Sequence, residues 1–219
     1  MRQANLCDKM VKLQNLSLII AKEKGIYIMF KFFAFIDRMK YIRRWSLMRS
    51  VREENIMEHS HQVAVIAHAL ALIKNKTFGG NVNVEKVVLM AQYHEVGEVI
   101  TGDLPTPIKY FNPEIKAAYK DLENNACQKI LAMLPEELKG EYAEYVLPDT
   151  ECYEYKIVKY ADRISAYLKC VEEIKSGNAE FKKAKRSIEN ELKGIKSPEV
   201  NYYLKEFAPA YELTLDELD

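Results

Sequence analysis

Between His94 and Asp103 the chain places a His-Glu pair (His94, Glu95), a second carboxylate at Glu98, and an aspartate behind a glycine (Gly102, Asp103). Val84, Val87, Val88, Ala91 and Val99 recur at three- and four-residue spacing, which predicts an amphipathic helix through this stretch, broken at Gly102. At about 100° per residue, His94 and Glu98 continue the Val87 and Ala91 face one turn apart, while Glu95 points about 100° away. Polar groups therefore occupy positions that an amphipathic helix buries. A buried carboxylate needs a partner, and beside a histidine that partner is usually a metal ion. The plain alternative is a helix end that exposes these groups to water. Further ligand types at inward-facing positions elsewhere weigh against it.

One such ligand is His59, which heads the stripe His59, Val63, Ile66, Leu70 and Ile73 of a helix expected from Met57 to about Lys74. Alone it would read as a hydrogen-bonded core histidine; with His94 and several acids available, metal ligation is the better reading. His61 and His68 fall on another side and read as surface or packing residues. Asp162 stands beside the Ile157, Ala161, Ile164, Leu168 and Val171 face of a long helix expected over residues 151–175. An Asp among apolar and small residues is costly unless paired, and Arg163 or Lys159 could do that instead of a metal. Together His59, His94, Glu95 and Asp162 suit a divalent transition metal with open positions for water and substrate oxygen. Such an ion acidifies water and neutralises phosphate charge, Glu98 is placed to handle the proton of that water, and Arg44 to stabilise phosphate oxygens.

The Arg43-Arg44-Trp45 cluster, followed by Met48-Arg49 and Arg52, reads on composition as a solvated loop. Arginine also grips phosphate in a bidentate fork, and an indole packs on a sugar or base, so the cluster matters if it lies near the metal candidates. The segment Leu104-Pro105-Thr106-Pro107 is stiff and is expected not to continue a helix. It would fix Asp103 and Thr106 against a ligand sugar or phosphate, or serve as a rigid connector.

The elements that must position these groups are helical throughout. Phe30, Phe33, Ile36 and Met39 predict a buried helix, and Phe78 to Asn83 a turn at Gly79-Gly80. Further helices are expected from Pro113 to Met133, from Pro135, from Phe181 to about Leu192, and after Pro198, with LTLDELD on the surface. No period-two strand pattern is convincing, so the expected fold is all-α. Residues 1–28 carry a helical period at Leu6, Met10, Leu13, Leu16 and Ile20 and read as an N-terminal extension or docked helix ahead of a domain over residues 29–219. They show no export signal.

The chain has 219 residues, enough for one domain with a substantial core, and 32 basic against 32 acidic residues. That balance gives no global attraction to nucleic acid polymers or anionic membranes, so an anionic ligand must be held locally. No apolar run approaches a membrane span. Cys7, Cys127, Cys152 and Cys170 are far apart with no CxxC pair, which suits reduced thiols in a cytoplasmic protein.

The blocks RRWSLMRSVREENIMEHS, FGGNVN, YHEVGEVITGDLPTPIKYF, KYADRISAYLKC and LTLDEL resemble the HD-domain phosphohydrolase superfamily, and within it the bacterial 5′-deoxynucleotidases, from about Met29 to the C-terminus. The resemblance implies a helical homodimer that removes the 5′-phosphate of deoxyribonucleoside 5′-monophosphates with a divalent metal such as cobalt or manganese. Position by position it implies metal ligation by His59, His94, Glu95 and Asp162, and a catalytic role for Glu98 and Arg44. Substrate contacts would come from Arg44, Trp45, His59, Asp103, Leu104, Pro105, Thr106 and Asp162, with Trp45 and Asp103 setting the preference for deoxyribose. One position departs from the superfamily's His-Asp pair: residue 95 is glutamate. Its extra methylene moves the carboxylate by roughly 1.5 Å, against the roughly 0.5 Å tolerance of a catalytic constellation. A nucleotide-binding or regulatory protein without efficient hydrolysis is therefore the rival reading.

Overall fold

The computed structural model describes residues 29–109 and 111–219. The expected N-terminal extension, its helical period and Cys7 lie outside the described residues. The chain divides between Lys31 and Phe32 into two units. The second contains α1 (Phe32–Ile36), a 3₁₀ segment (Asp37–Tyr41), α2 (Ile56–Thr77), α3 (Val84–Tyr93), α4 (Glu98–Thr101) and α5 (Thr106–Lys109). These are followed by α6 (Pro113–Leu131), α7 (Glu136–Val146), α8 (Tyr153–Lys175), α9 (Lys182–Gly194) and α10 (Pro198–Glu206). Among the described residues the only extended pairing is an isolated antiparallel bridge between Arg43 and Asn55.

Local chemistry starts these helices where the structure has them. Asn55 accepts from Met57 N and Glu58 N, Asn83 from Lys86 N, and Asn112 from Ile115 N, each satisfying amides that a first turn leaves free. Pro113 follows its cap at the first helical position, where no amide is missed. The long helices α2 and α8 pack on each other and on α3, burying Val63, Ile66, Leu70, Val87, Ala91, Ile157, Ala161, Ile164 and Leu168. The predicted faces of α2 and α8 are the observed core faces, and His61 and His68 are exposed. A smaller core of Phe32, Val96, Ile130, Leu131, Leu134 and Val146 lies under α1, α6 and α7.

The structure corrects four expectations. The helix expected to carry His94 and Glu98 together stops at Tyr93. His94 Nδ1–H donates to the Ala91 carbonyl at 2.6 Å, the acceptor that Glu95 N–H would use in a continuing α-helix. The chain then tightens into three-residue closures, Val96 N to Tyr93 O and Glu98 N to Glu95 O, before α4. Second, the first aromatic helix buries Phe32 and Met39, while Phe30 and Phe33 are exposed, because it is one short turn followed by a 3₁₀ segment rather than a continuous helix. Third, Leu104 and Pro105 do not continue a helix, as expected, but a new one-turn helix begins at Thr106, with Pro107 in its first turn, where proline costs no hydrogen bond. Fourth, the arginine cluster is not uniformly solvated. Arg43, Arg49 and Arg52 are exposed, but the Arg44 side chain is only 14% exposed and faces a buried carboxylate.

Candidate metal centre and substrate cavity

His59 comes from the first turn of α2, His94 and Glu95 from the tightened turn after α3, and Asp162 from the middle of α8. One ligand atom from each of the four lies within 4.8 Å of the other three. Atoms held about 2.1 Å from one ion are at most about 4.2 Å apart, so a pair at the 4.8 Å limit would have to close by about 0.6 Å or more. The longer Glu95 side chain thus reaches the cluster that the sequence expects it to join.

The donors are arranged as metal ligands in their hydrogen bonding as well. Ser165 Oγ donates to Gln62 Oε1 at 2.6 Å, which leaves its oxygen to accept from His59 Nδ1–H at 3.1 Å. His94 Nδ1 is likewise committed as a donor to Ala91 O. Each imidazole therefore presents a bare Nε2 lone pair to the cluster. There the lone pairs meet other acceptors: His59 Nε2 is 3.1 Å from Asp162 Oδ1, and His94 Nε2 is 3.1 Å from Glu95 Oε1. His94 Nε2 is buried and has no hydrogen-bond partner. Acceptors facing acceptors are repulsive unless a cation stands among them, and this is the observation that fits the four residues to a divalent metal.

Burial and the neighbouring Arg44 charge push the His59 imidazolium down to about 4, so His59 is neutral and ligand-ready at pH 7. Burial works to raise Asp162, but its surroundings, the Lys159 charge among them, hold it well below the usual carboxylate range. Glu95 is likewise held down against burial, with the Lys159 charge acting in that direction. Glu98 is the opposite case. It is buried, and burial together with the adjacent Glu95 carboxylate pushes it up to about 11. Of the two partners that could pair with Asp162 instead of a metal, Arg163 is engaged elsewhere, its Nε 3.1 Å from Glu191, while Lys159 Nζ lies 3.9 Å from Asp162 Oδ2.

A cavity of about 370 Å³ opens on this cluster. Arg44, Trp45, Glu95, Glu98 and Asp162 line it, as does the whole segment Asp103, Leu104, Pro105 and Thr106, so the sequence-predicted substrate residues other than His59 share one wall system. His59 lies behind Asp162, fully buried. Gly102 makes the approach possible: its φ of 73° ends α4 in the left-handed region, and its carbonyl accepts from Tyr119 OH at 3.0 Å. A second cavity, about 220 Å³, reaches His94, Glu95 and Glu98 and is lined by Lys109, Lys120 and Lys159.

The loop over residues 43–55 carries Arg44 and Trp45 and holds features that the sequence pattern did not disclose. Trp45 has φ 59°, a left-handed conformation costing a side chain roughly 1–3 kcal/mol. Its ring packs 5.3 Å from Phe181, and its Nε1–H donates to Glu54 Oε2 at 3.2 Å. Arg44 Nε lies 3.1 Å from the same oxygen without the alignment of a hydrogen bond. Farther along, Glu173 on α8 accepts from Val51 N and Arg52 N, and from Lys169 and Asn178. Lys169 in turn donates to Arg52 O, and Asn178 to Arg49 O. Asp162, Ser165, Lys169 and Glu173 thus form a polar stripe at three- and four-residue spacing along α8. Beyond Asp162, the i, i+4 spacing of Lys169 and Glu173 is the signal that the sequence carries for it.

Residues 31–211 match the family described as 5′-deoxynucleotidase YfbR-like. A 5′-deoxynucleotidase of Vibrio vulnificus is 55% identical over 188 residues, 85% of this chain and 97% of the relative. The 5′-deoxynucleotidase YfbR of Escherichia coli is 51% identical over 190 residues, 85% and 94% of the two chains. Among solved structures, an HD-domain phosphohydrolase from Listeria innocua has a TM-score of 0.73 at 22% identity, covering 83% of this chain and 88% of that one. A cyanophage S-2L HD phosphohydrolase, solved with dA and one catalytic Zn²⁺, has a TM-score of 0.55 at 19% identity, covering 82% and 95%.

Proposed function

The chain belongs to the YfbR-like 5′-deoxynucleotidase family, and from that premise we propose how its residues carry out the hydrolysis of deoxyribonucleoside 5′-monophosphates to deoxynucleoside and phosphate. The catalytic domain is assigned to residues 29–219, acting as a homodimer. His59, His94, Glu95 and Asp162 hold a divalent transition metal, with cobalt or manganese as the first choices. When bound, the ion acidifies water and offsets phosphate charge.

The remaining roles belong to side chains. Glu98 moves the proton of the attacking water. Part of its raised pKa comes from the Glu95 anion; with that charge neutralised by a ligand cation, Glu98 falls back toward the range in which it accepts a proton. Arg44 meets the phosphate with the guanidinium nitrogens that its Nε edge leaves free. Trp45 and Asp103 face the sugar, and the Leu104-Pro105-Thr106 segment closes the wall. The buried Nε2 of His94, bare and partnerless beside Glu95, is the observation that carries the reading. It favours a working hydrolase over a binding protein, because Glu95 reaches the cluster despite its extra methylene.

The test is phosphate release from deoxyribo- and ribonucleoside monophosphates with added cobalt or manganese, for the parent, Arg44→Ala and Trp45→Ala. Arg44→Ala should depress turnover on every nucleotide, and Trp45→Ala should narrow the gap between the two sugars. A parent that binds deoxynucleotide but releases no phosphate with any divalent metal would leave only the binding-protein reading.

A further inference from the structure

Arg44 and Trp45 are neighbours in sequence with different tasks at the cavity, yet one buried carboxylate oxygen serves both. Glu54 Oε2 lies 3.2 Å from Trp45 Nε1 and 3.1 Å from Arg44 Nε. Its side chain is only 13% exposed, and it does not line the substrate cavity. Backbone contacts fix it opposite them: Arg44 N donates to Glu54 O at 2.9 Å, beside the Arg43–Asn55 bridge.

The surroundings give this carboxylate more than a packing role. The charges of Glu54, Asp162, Glu95 and Asp103 all bear on the buried Arg44 guanidinium, the last three from the cavity side. An unrestrained guanidinium would be drawn onto the carboxylates that are to hold the ion. Glu54 attracts it from behind by the Nε edge, keeping the fork available to an incoming phosphate. The same oxygen fixes the rotation of the indole, whose backbone already sits in a strained left-handed conformation with a turn hydrogen bond from Met48 N to Trp45 O. We propose that Glu54 is a positioning residue that sets the phosphate-gripping arginine and the sugar-facing tryptophan from one point, coupling turnover to deoxyribose selectivity. The proposal rests on the roles given to Arg44 and Trp45 above.

Trp45 is the chain's single tryptophan, so its fluorescence reports on this contact without any need for activity. Two variants separate the two halves of the role. Glu54→Gln keeps an acceptor for the indole but loses the charge facing Arg44. It should leave emission and the deoxyribo-to-ribo ratio of kcat/KM within about twofold of the parent, while lowering kcat/KM on both sugars about tenfold, the size of one charge-assisted contact. Glu54→Ala removes both contacts. It should shift Trp45 emission to the red, increase its quenching by acrylamide, and narrow the sugar ratio about tenfold. Unchanged turnover in Glu54→Gln, or an unchanged ratio and emission in a folded Glu54→Ala, would overturn the proposal. Should Glu54→Ala fail to fold, the isosteric Glu54→Gln still decides. Trp45→Ala, run beside them, separates the failures. If it narrows the ratio and Glu54→Ala does not, the coupling alone is wrong; if it does not narrow the ratio, the sugar assignment and the coupling fall together.

Discussion

Ser165 decides from one layer back which nitrogen His59 offers to the cluster. Its proton goes to Gln62, so its oxygen takes the Nδ1–H of His59 and leaves Nε2 bare. Ser165→Ala removes the group that fixes this tautomer while leaving all four donors in place. We expect metal affinity to fall about 10–100-fold, the usual cost of losing such a supporting contact, as read by calorimetric titration with cobalt or manganese. An unchanged affinity would mean that another group sets the tautomer. Glu95 poses the complementary question, since its longer side chain reaches the cluster from a turn rather than a regular helix. Parent and Glu95→Asp should both release phosphate, with rates within about tenfold, or about 1.4 kcal/mol of barrier. A silent parent restored by Glu95→Asp would contradict this. The residue types of the cluster were legible because polar groups interrupted apolar faces. Glu54 was not, because the second acid of Arg52-Glu53-Glu54-Asn55 reads as a surface charge until burial is known.

At the scale of elements, the apolar stripes gave away most of the fold, and the structure adds Asn55, Asn83 and Asn112 as caps one residue before helices that the pattern predicts. The break after Tyr93 was hidden, since the periodicity of Val87, Ala91, His94 and Glu98 runs through it. What stops the helix is a side chain taking a backbone carbonyl, which no spacing rule registers. The tether of residues 43–55 to α8 was equally hidden, because it joins Val51 and Arg52 to Glu173 across more than a hundred residues. Burial works to raise the Glu173 carboxyl, but Lys169, Asn178 and the Val51 and Arg52 amides outweigh it and hold the group down to about 2, below its ordinary 4.5. A depressed carboxylate contributes stability that is complete above the ordinary value and drains away as pH falls through the folded one. The urea midpoint should therefore drop between about pH 4.5 and pH 2, and Glu173→Gln should flatten that part of the profile while lowering the midpoint at neutral pH. Parallel profiles for parent and variant would show that the tether does not carry this dependence.

For the molecule as a whole, α2, the turn after α3 and α8 bring the four candidate donors together, so an ion held by them would bridge all three elements. Binding to the folded chain alone raises stability by about 2.7 kcal/mol at a hundredfold excess over Kd. Chelation should lower the thermal midpoint, and cobalt or manganese should restore it in a concentration-dependent way. A midpoint indifferent to metal would show that the donors do not act as one site. Among the described residues no helix is long and apolar enough to cross a membrane. The polar stripe of α8 has a further consequence. Asp162 and Glu173 are eleven positions apart, 173 minus 162, which on a helix is about 16 Å of rise and only about 20° of net rotation. The candidate ion ligand Asp162, the serine behind His59 and the loop anchor Glu173 are thus all measured from one rigid rod, as machined parts are located from a single datum face. Placement errors in the connecting loops do not accumulate between the ion and the arginine loop. The sensitive dimension lies inside α8, where one inserted residue between Asp162 and Glu173 would turn the two by about 100° and put ion site and arginine loop out of phase.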